Sequence, residues 1–242
     1  MRILDGQLVA FLGDSITQHL VAVNDSMETQ TDGLPPVGTY VCVDRHENRG
    51  WTAILANRIH LAYPERRIRY LNAGIGGQSS RQMLARFDAD ILAHHPQWLL
   101  LSAGVVEVRR KYQPDRVSER VSLEEYVTNL TLMITGALRE NLQVILLEPT
   151  PHARPVTDGP RDLTLEDVHT LTRQYGTAMR QVAQEMAVGF VFLFHEFLRM
   201  ERQLAGDASL YADEVHLNAR GDMLYSQLVY QYLDADYSVP HN

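Results

Sequence analysis

Two short stretches near opposite ends of the chain carry the side chains that nucleophilic catalysis by a serine requires. Gly13-Asp14-Ser15-Ile16-Thr17 follows an apolar run, so a flexible glycine leads directly from a buried strand to a serine. Asp213 precedes His216 by three residues, a spacing at which a carboxylate can bond the imidazole Nδ1–H and leave Nε2 to deprotonate a serine. Each stretch also has an ordinary interpretation, a helix N-cap for the first and a solvated surface turn for the second. Taken together, they indicate Ser15 as nucleophile, His216 as base and Asp213 as the group that orients it.

The elements that position these residues are predicted by the alternation of short apolar runs with segments of helical spacing. Five runs predict parallel strands joined by crossover helices: Leu8–Leu12, Ile68–Leu71, Trp98–Ser102, Val144–Leu147 and Phe190–Leu193. Their hydrophobicity is continuous, as in strands covered by helices on both faces. We therefore expect an α/β fold, a three-layer α/β/α sandwich around a five-stranded parallel sheet. Ligands of such sheets bind beyond the carboxyl ends of the strands, where Ser15 is predicted to lie.

Helical spacing and capping residues predict the main helices. They cover Trp51–Tyr63, about Met83–Ile91, a segment after a capping box at Ser122–Glu125, Thr164–Met186 and Asn218–Leu233. Two segments without periodicity, Val21–Gly50 and Pro149–Gly159, are expected to be functional or mobile loops. Residues 1–242 are thus expected to form a single domain with an insertion loop at about 21–50.

Composition excludes several function classes. The chain has 242 residues, and 30 Asp and Glu against 22 Lys and Arg give a net charge of −8, which argues against a nucleic-acid partner. Cys42 is the only cysteine and the histidines lack ligand spacing, so neither a disulfide nor a metal site is expected. No apolar stretch is long enough for a signal peptide or a membrane span, so we expect a cytoplasmic protein without a membrane partner. The basic run Arg109-Arg110-Lys111 favours a solvated loop or contact with an acidic substrate or partner.

These motifs resemble those of the SGNH hydrolases, also called the GDSL esterase/lipase family. That family has Gly-Asp-Ser near the N-terminus and Asp-x-x-His near the C-terminus, which match Ser15, Asp213 and His216 in order and position. Asn72-Ala73-Gly74-Ile75-Gly76-Gly77 is similar to its second block, which implies that the Gly77 backbone N–H binds the oxyanion together with that of Ser15. The resemblance implies a flavodoxin-like hydrolase fold and a reaction that needs no cofactor.

The third block of the family is where the chain departs from the resemblance. The family has Gly-x-Asn-Asp there, with the Asn side chain donating to the oxyanion, whereas this chain has Gly104-Val105-Val106-Glu107. Val106 has no donor, and loss of one such donor lowers turnover by roughly 10²–10³ in the general case. Two readings stay open: a slower esterase with a depleted, two-donor oxyanion hole, or a catalytically silent protein that only binds its ligand.

Within the family, the chain is most similar to acetylxylan-esterase-like carbohydrate deacetylases. The similarity rests on the Gly-Asp-Ser-Ile-Thr opening, Gly50-Trp51, Tyr63-Pro64-Glu65 and Arg109-x-x-Tyr112. It implies a serine esterase acting on small acyl esters, acetyl above all, of a carbohydrate or related alcohol; the alternative is a lysophospholipase or thioesterase type of hydrolase. Trp51 and Tyr40 are either core residues or a sugar-stacking surface. A homo-oligomer is compatible with the sequence.

Overall fold

The computed structural model describes residues 1–18, 50–206 and 208–235, and the backbone of residues 40–42. Its strands are β1 Leu8–Gly13, β2 Tyr40–Cys42, β3 Arg69–Gly74, β4 Trp98–Ser102, β5 Gln143–Leu147 and β6 Gly189–Val191. Its α-helices are α1 Ser15–Gln18, α2 Trp51–Ala62, α3 Ser80–Asp90, α4 Val105–Tyr112, α5 Leu123–Arg139, α6 Leu165–Glu185, α7 Phe194–Gln203 and α8 Ala219–Asp234. Two 3₁₀ helices, Leu92–His94 and Pro114–Glu119, complete the described elements.

The strands form one sheet in the order β2-β3-β1-β4-β5-β6. Strands β3, β1, β4, β5 and β6 are mutually parallel, which confirms the predicted five-stranded parallel sheet. In this register the ends of β1 and β3 lie side by side, with Gly13 paired to Gly74. The segments that follow these two strands therefore leave the sheet at the same edge.

The sheet has a sixth strand that the predicted five did not include. Strand β2 pairs antiparallel with β3, from Tyr40 opposite Asn72 to Cys42 opposite Tyr70. It lies within the predicted insertion loop, the rest of which, apart from Gly50, lies outside the described residues. Three residues are too few for a periodic pattern, and the pairing is decided by the free edge of β3 rather than by local sequence.

Two hydrophobic cores lie on opposite faces of the sheet, which confirms the three-layer sandwich. In β1, Leu8, Ala10 and Leu12 point into one core and Val9 and Phe11 into the other. Residues of α3, α5 and α6 fill the first core, and residues of α2, α7 and α8 fill the second. The continuous apolar runs are explained by this burial on both faces.

The predicted helices agree with the structure within one or two residues at most ends, but one capping interaction was predicted wrongly. Ser122 accepts a hydrogen bond from the Glu125 backbone N–H at 3.1 Å, as expected for an N-cap. The Glu125 carboxylate does not complete the box, because it binds the guanidinium of Arg81 at 2.5 and 2.8 Å. A charged partner on a neighbouring helix has displaced the local one. Of the helices in the described ranges, none is long and apolar enough to cross a bilayer.

Candidate active site

Ser15 is placed at the carboxyl edge of the sheet by a tight turn out of β1. It is the first residue of α1, and its side chain is mostly buried. A Cβ at Gly13 would lie 2.2 Å from the Thr17 hydroxyl oxygen, so only glycine permits this close approach. Asp14 shapes the turn as predicted, because its carboxylate accepts the Ile16 N–H at 2.9 Å.

Asp213 and His216 lie on a turn before α8. One Asp213 carboxylate oxygen accepts the backbone N–H groups of Val215 and His216, each at 2.8 Å, and the other lies 2.6 Å from His216 Nδ1. His216 Nε2 lies 2.9 Å from Ser15 Oγ, although the two residues are 201 positions apart. The fold thus brings together the three residues that the sequence analysis singled out.

This arrangement can move a proton away from the serine hydroxyl. If Nδ1–H donates to Asp213, Nε2 carries the lone pair that accepts the Ser15 proton. Burial by itself would raise the pKa of Asp213, but the two backbone donors and the His216 ring outweigh it, and the pKa lies below its ordinary value. Asp213 is therefore ionised at neutral pH, as a carboxylate that stabilises an imidazolium must be.

Gly77 lies on the turn after β3, next to the Ser15 turn. The two turns are joined by a hydrogen bond of 3.0 Å from the Ile75 N–H to the Gly13 carbonyl. Gly77 has φ +72°, in the left-handed region that favours glycine. A Cβ there would meet only an arginine nitrogen at 3.4 Å, so backbone conformation is a stronger reason for glycine here than crowding. Among the described residues, the Gly77 N–H donates to no acceptor.

Val106 is the second residue of α4 and is 5% exposed, buried at the end of β4. The next residue, Glu107, accepts the backbone N–H groups of Ser80 at 2.5 Å and Gly104 at 3.1 Å. Burial raises the pKa of Glu107, with the two hydrogen bonds opposing that shift. Glu107 therefore fastens the start of α4 to α3, while the neighbouring position presents an apolar side chain.

Two buried titratable groups lie close in the chain to this site: Asp14 precedes Ser15, and His152 precedes Ala153, whose N–H donates to the Glu214 carbonyl at 2.8 Å. Burial, together with the charge of Glu107, raises the pKa of Asp14 to about 7, and its Oδ2 has no hydrogen-bond partner within the described ranges. His152, on the loop after β5, is 2% exposed, and burial lowers its pKa to about 3. Neither ring nitrogen of His152 has a partner in the described part of the chain. His152 was noted in the sequence only as lacking metal-ligand spacing, and nothing local predicted its burial.

Of the two interpretations of the basic run, the solvated loop was wrong, and contact with an acidic substrate or partner stays a prediction. Arg109 and Arg110 are helical residues of α4, and both are paired: Arg109 lies 2.9 Å from Glu214, and Arg110 lies 2.9 Å from Glu119. Glu214 sits between Asp213 and His216 in sequence, so the first pair ties their turn to α4. Both arginines are half-buried, and Glu214 lies 105 positions from Arg109, so nothing in the run itself predicted this pairing.

Of the two aromatic residues considered for sugar stacking, Trp51 is a core residue. It is 1% exposed and stacks on Tyr225 with ring centroids 4.5 Å apart. The side chain of Tyr40 lies outside the described residues.

Comparison with known proteins agrees with this geometry. A sequence profile of the GDSL-like Lipase/Acylhydrolase family matches residues 11–224. An acetylxylan esterase of Geobacillus stearothermophilus is 27% identical over 228 residues, covering 94% of each chain. The crystal structure of Axe2, an acetylxylan esterase from the same organism, has a TM-score of 0.77 at 25% identity and covers 98% of both chains. LAE5, an alpha/beta hydrolase enzyme from the metagenome of Lake Arreo, Spain, has a TM-score of 0.75 at 24% identity, covering 96% of this chain and 97% of LAE5.

Solved structures of Axe2 include catalytic mutants in which a serine, an aspartate or a histidine is replaced by alanine. The family profile spans most of the chain, and the sheet and its flanking helices match those of Axe2. The chain therefore belongs to the GDSL-like lipase/acylhydrolase family and is a carboxylic ester hydrolase.

Proposed function

We propose that this protein removes small acyl groups, acetyl above all, from a carbohydrate or a related alcohol, with Ser15, His216 and Asp213 as its catalytic triad. The observation that carries the proposal is the unbroken pair of hydrogen bonds from Asp213 through His216 to Ser15 Oγ, of 2.6 and 2.9 Å. The distance of 2.9 Å lies within the range that proton transfer between a serine and a base requires, and the bond of 2.6 Å orients the imidazole for it.

In the proposed reaction, Ser15 Oγ attacks the ester carbonyl while His216 Nε2 takes the hydroxyl proton. Asp213 holds the imidazole in the correct tautomer and stabilises the imidazolium that forms. When the tetrahedral intermediate collapses, His216 gives the proton to the leaving alcohol, and the acyl group stays on Ser15 as an ester. A water molecule, deprotonated by His216, then releases the acid and restores the serine.

The oxyanion of the tetrahedral intermediate is proposed to be bound by the backbone N–H groups of Ser15 and Gly77. Position 106 supplies no third donor, because valine has none. Such a two-donor hole stabilises the transition state less than a three-donor hole does, so turnover is expected to be low for this family.

The proposed substrate class is supported by relatives that are acetylxylan esterases. A neutral acetylated sugar is also compatible with a chain of net charge −8, which disfavours polyanionic substrates. The finer choice between sugar, lipid and thioester substrates is tested by acyl-chain length. We expect the rate with p-nitrophenyl esters to fall from acetate towards decanoate, and a maximum at long chains would contradict the proposal.

Hydrolysis of p-nitrophenyl acetate by wild type and by Ser15→Ala tests the triad. We expect the substitution to lower kcat at least about 10³-fold, because the nucleophile is lost. Ser118→Ala is the matched control, since this exposed serine offers only its backbone carbonyl to Arg81. Equal rates for wild type and Ser15→Ala would refute the triad.

The absence of a donor at Val106 favours one second candidate, a ligand-binding protein without catalysis on the same fold. If the protein only binds its ligand, wild type and Ser15→Ala should bind acetylated xylooligosaccharide equally and hydrolyse it at the same background rate. Product formation by wild type alone would exclude it.

A further inference from the structure

The turn that carries Gly77 is contacted by a cation from α4. Arg110 Nη2 lies 3.4 Å from the Gly77 carbonyl oxygen, and the same nitrogen lies 3.4 Å from the place where a Gly77 Cβ would be. Arg110 and Val106 are four residues apart in α4 and so lie on the same helix face. Arg110 therefore lies one helical turn beyond the position at which the family places its oxyanion-binding Asn.

Arg110 is held in this place by other contacts. Its Nε lies 2.9 Å from Glu119, its Nη1 bonds the side chain of Gln113, and its side chain is 13% exposed. Only the remaining nitrogen, Nη2, reaches the Gly77 turn. Because the guanidinium is planar and its other two nitrogens have fixed contacts, Nη2 is held in one orientation.

We propose that Arg110 is a positioning residue for the Gly77 N–H, an inference that rests on the proposed function. Gly77 is free of side-chain restraint and adopts a left-handed conformation, so its peptide groups are oriented by their partners. The Gly77 carbonyl belongs to the peptide group after the Cα and the N–H to the one before it, so a guanidinium on the carbonyl limits rotation about the Cα–C bond directly and orients the N–H through the turn that the two peptides share. Arg110 also brings positive charge to the turn whose N–H is proposed to bind the oxyanion, which partly offsets the donor absent at Val106.

The structure supplies a matched control for this charge. Arg116 also pairs with Glu119, at 2.7 Å, but it is 47% exposed and makes no contact with the Gly77 turn. Removing either arginine takes one cation from Glu119. Only the loss of Arg110 releases Gly77.

The test compares Arg110→Gln, Arg110→Lys and Arg116→Gln with wild type and Ser15→Ala, using p-nitrophenyl acetate. Rates of wild type and the arginine variants are expressed per active site, counted by end-point labelling of Ser15 with the organophosphate paraoxon, so that unfolded protein does not contribute. Ser15→Ala has no serine to label, and its rate is expressed per mole of protein. We expect Arg110→Gln to lower kcat roughly tenfold to thirtyfold and to change KM less than twofold, because oxyanion stabilisation acts in the transition state. Arg110→Lys is expected to retain an intermediate kcat, since one ammonium cannot serve both Glu119 and Gly77, and Arg116→Gln is expected to match wild type.

Several results would overturn the inference. A wild-type kcat per site in Arg110→Gln, or in Arg110→Lys where the Gln variant does not fold, would show that Arg110 is only structural. An equal loss of kcat in Arg116→Gln would assign the effect to Glu119. A raised KM with unchanged kcat in Arg110→Gln would assign Arg110 to substrate binding. If wild type and Ser15→Ala hydrolyse the ester equally, the proposed function fails and this inference fails with it. If hydrolysis depends on Ser15 but Arg110→Gln has the wild-type kcat, only this inference is overturned.

Discussion

Replacing Asp14 and His152 one at a time is expected to change the acid stability of the protein in opposite directions. Asp14 has a folded-state pKa of about 7 against an ordinary 3.8, and His152 has one of about 3 against 6.5, both mainly because of burial. Between pH 7 and about 4, folded Asp14 holds a proton that the unfolded chain releases, so it adds stability as the pH falls. Over nearly the same interval, the unfolded chain binds a proton that folded His152 excludes, so His152 removes stability as the pH falls.

The magnitudes follow from the two pKa differences. Each is about three pH units, and about 1.4 kcal/mol corresponds to one unit. Part of each titration lies outside this interval, since Asp14 is already half-protonated at pH 7 and unfolded His152 is not fully deprotonated there. Between pH 7 and pH 4, Asp14 therefore contributes a gain of about 3 kcal/mol and His152 a loss of about 3 kcal/mol. In the wild type the two contributions nearly cancel, and each becomes visible only when the other group is removed.

The assay is urea unfolding at pH 4, 5, 6 and 7, followed by tryptophan fluorescence. Both tryptophans, Trp51 and Trp98, are buried and so report on the folded core. Relative to wild type, we expect Asp14→Asn to lose about 3 kcal/mol of unfolding free energy on going from pH 7 to pH 4, and His152→Leu to gain about as much. Asp14 is coupled to the charge of Glu107, and His152 to that of His169, so each difference reports the replaced side chain together with its coupling to that neighbour, whereas uncoupled groups cancel.

The result that would refute this reasoning is a pair of stability differences that do not change with pH. If the difference in unfolding free energy between each variant and wild type stays constant within about 1 kcal/mol from pH 7 to pH 4, neither group has the shifted pKa on which the prediction is based. The denaturant slope must stay equal among the three proteins, since a change in slope would reflect a different unfolded state.

Three further predictions concern the site and its supports. Val106→Asn is expected to raise kcat with p-nitrophenyl acetate, by up to about 10²-fold, because it restores a side-chain donor. An unchanged kcat in a folded variant would contradict the assignment of position 106 to the oxyanion hole. Glu214→Gln breaks an ion pair of 2.9 Å with Arg109 beside the Asp213–His216 turn and should lower both kcat and Tm, kcat by several-fold. Asp158→Asn, 4.0 Å from the same arginine, should change neither, and equal effects of the two substitutions would argue against a role of the Arg109–Glu214 pair in holding this turn. Gly104→Ala should lower the free energy of unfolding by about 2 kcal/mol or more, because φ is +119° and the new Cβ would lie 3.0 Å from a proline side chain. Gly206→Ala is the control, because its φ is +62° and no atom lies within 4 Å of the new Cβ, and it should lower the free energy of unfolding by about 1 kcal/mol.

The sequence was most informative where a feature depends on neighbouring residues. The five parallel strands and the long helices follow from apolar spacing, and most of their ends agree because caps such as Ser122 and Asn218 are local interactions. The turn formed by Asp213 and His216 is equally local, since one carboxylate bonds the backbone and ring of a residue three positions on. These are short-range contacts that the identity of a few residues decides.

The features that sequence reasoning missed all depend on partners distant in the chain. Strand β2 exists because β3 offers a free edge, and Glu125 binds Arg81 because α3 packs against α5. The burial of His152 likewise depends on which elements surround its loop. No local pattern specifies such pairings, because they are chosen by sheet order and helix packing.

The sequence by itself determined the chemical groups of the candidate site: a serine at the end of a strand, a histidine oriented by an aspartate, and a valine where the family has a donor. Only the tertiary structure decided which atoms meet. It places His216 Nε2 2.9 Å from Ser15 Oγ across 201 residues and directs Arg110 at the Gly77 turn. The physical reason is that residue types are fixed locally, whereas distances between them are set by the parallel sheet, which brings the carboxyl ends of separate strands to one edge.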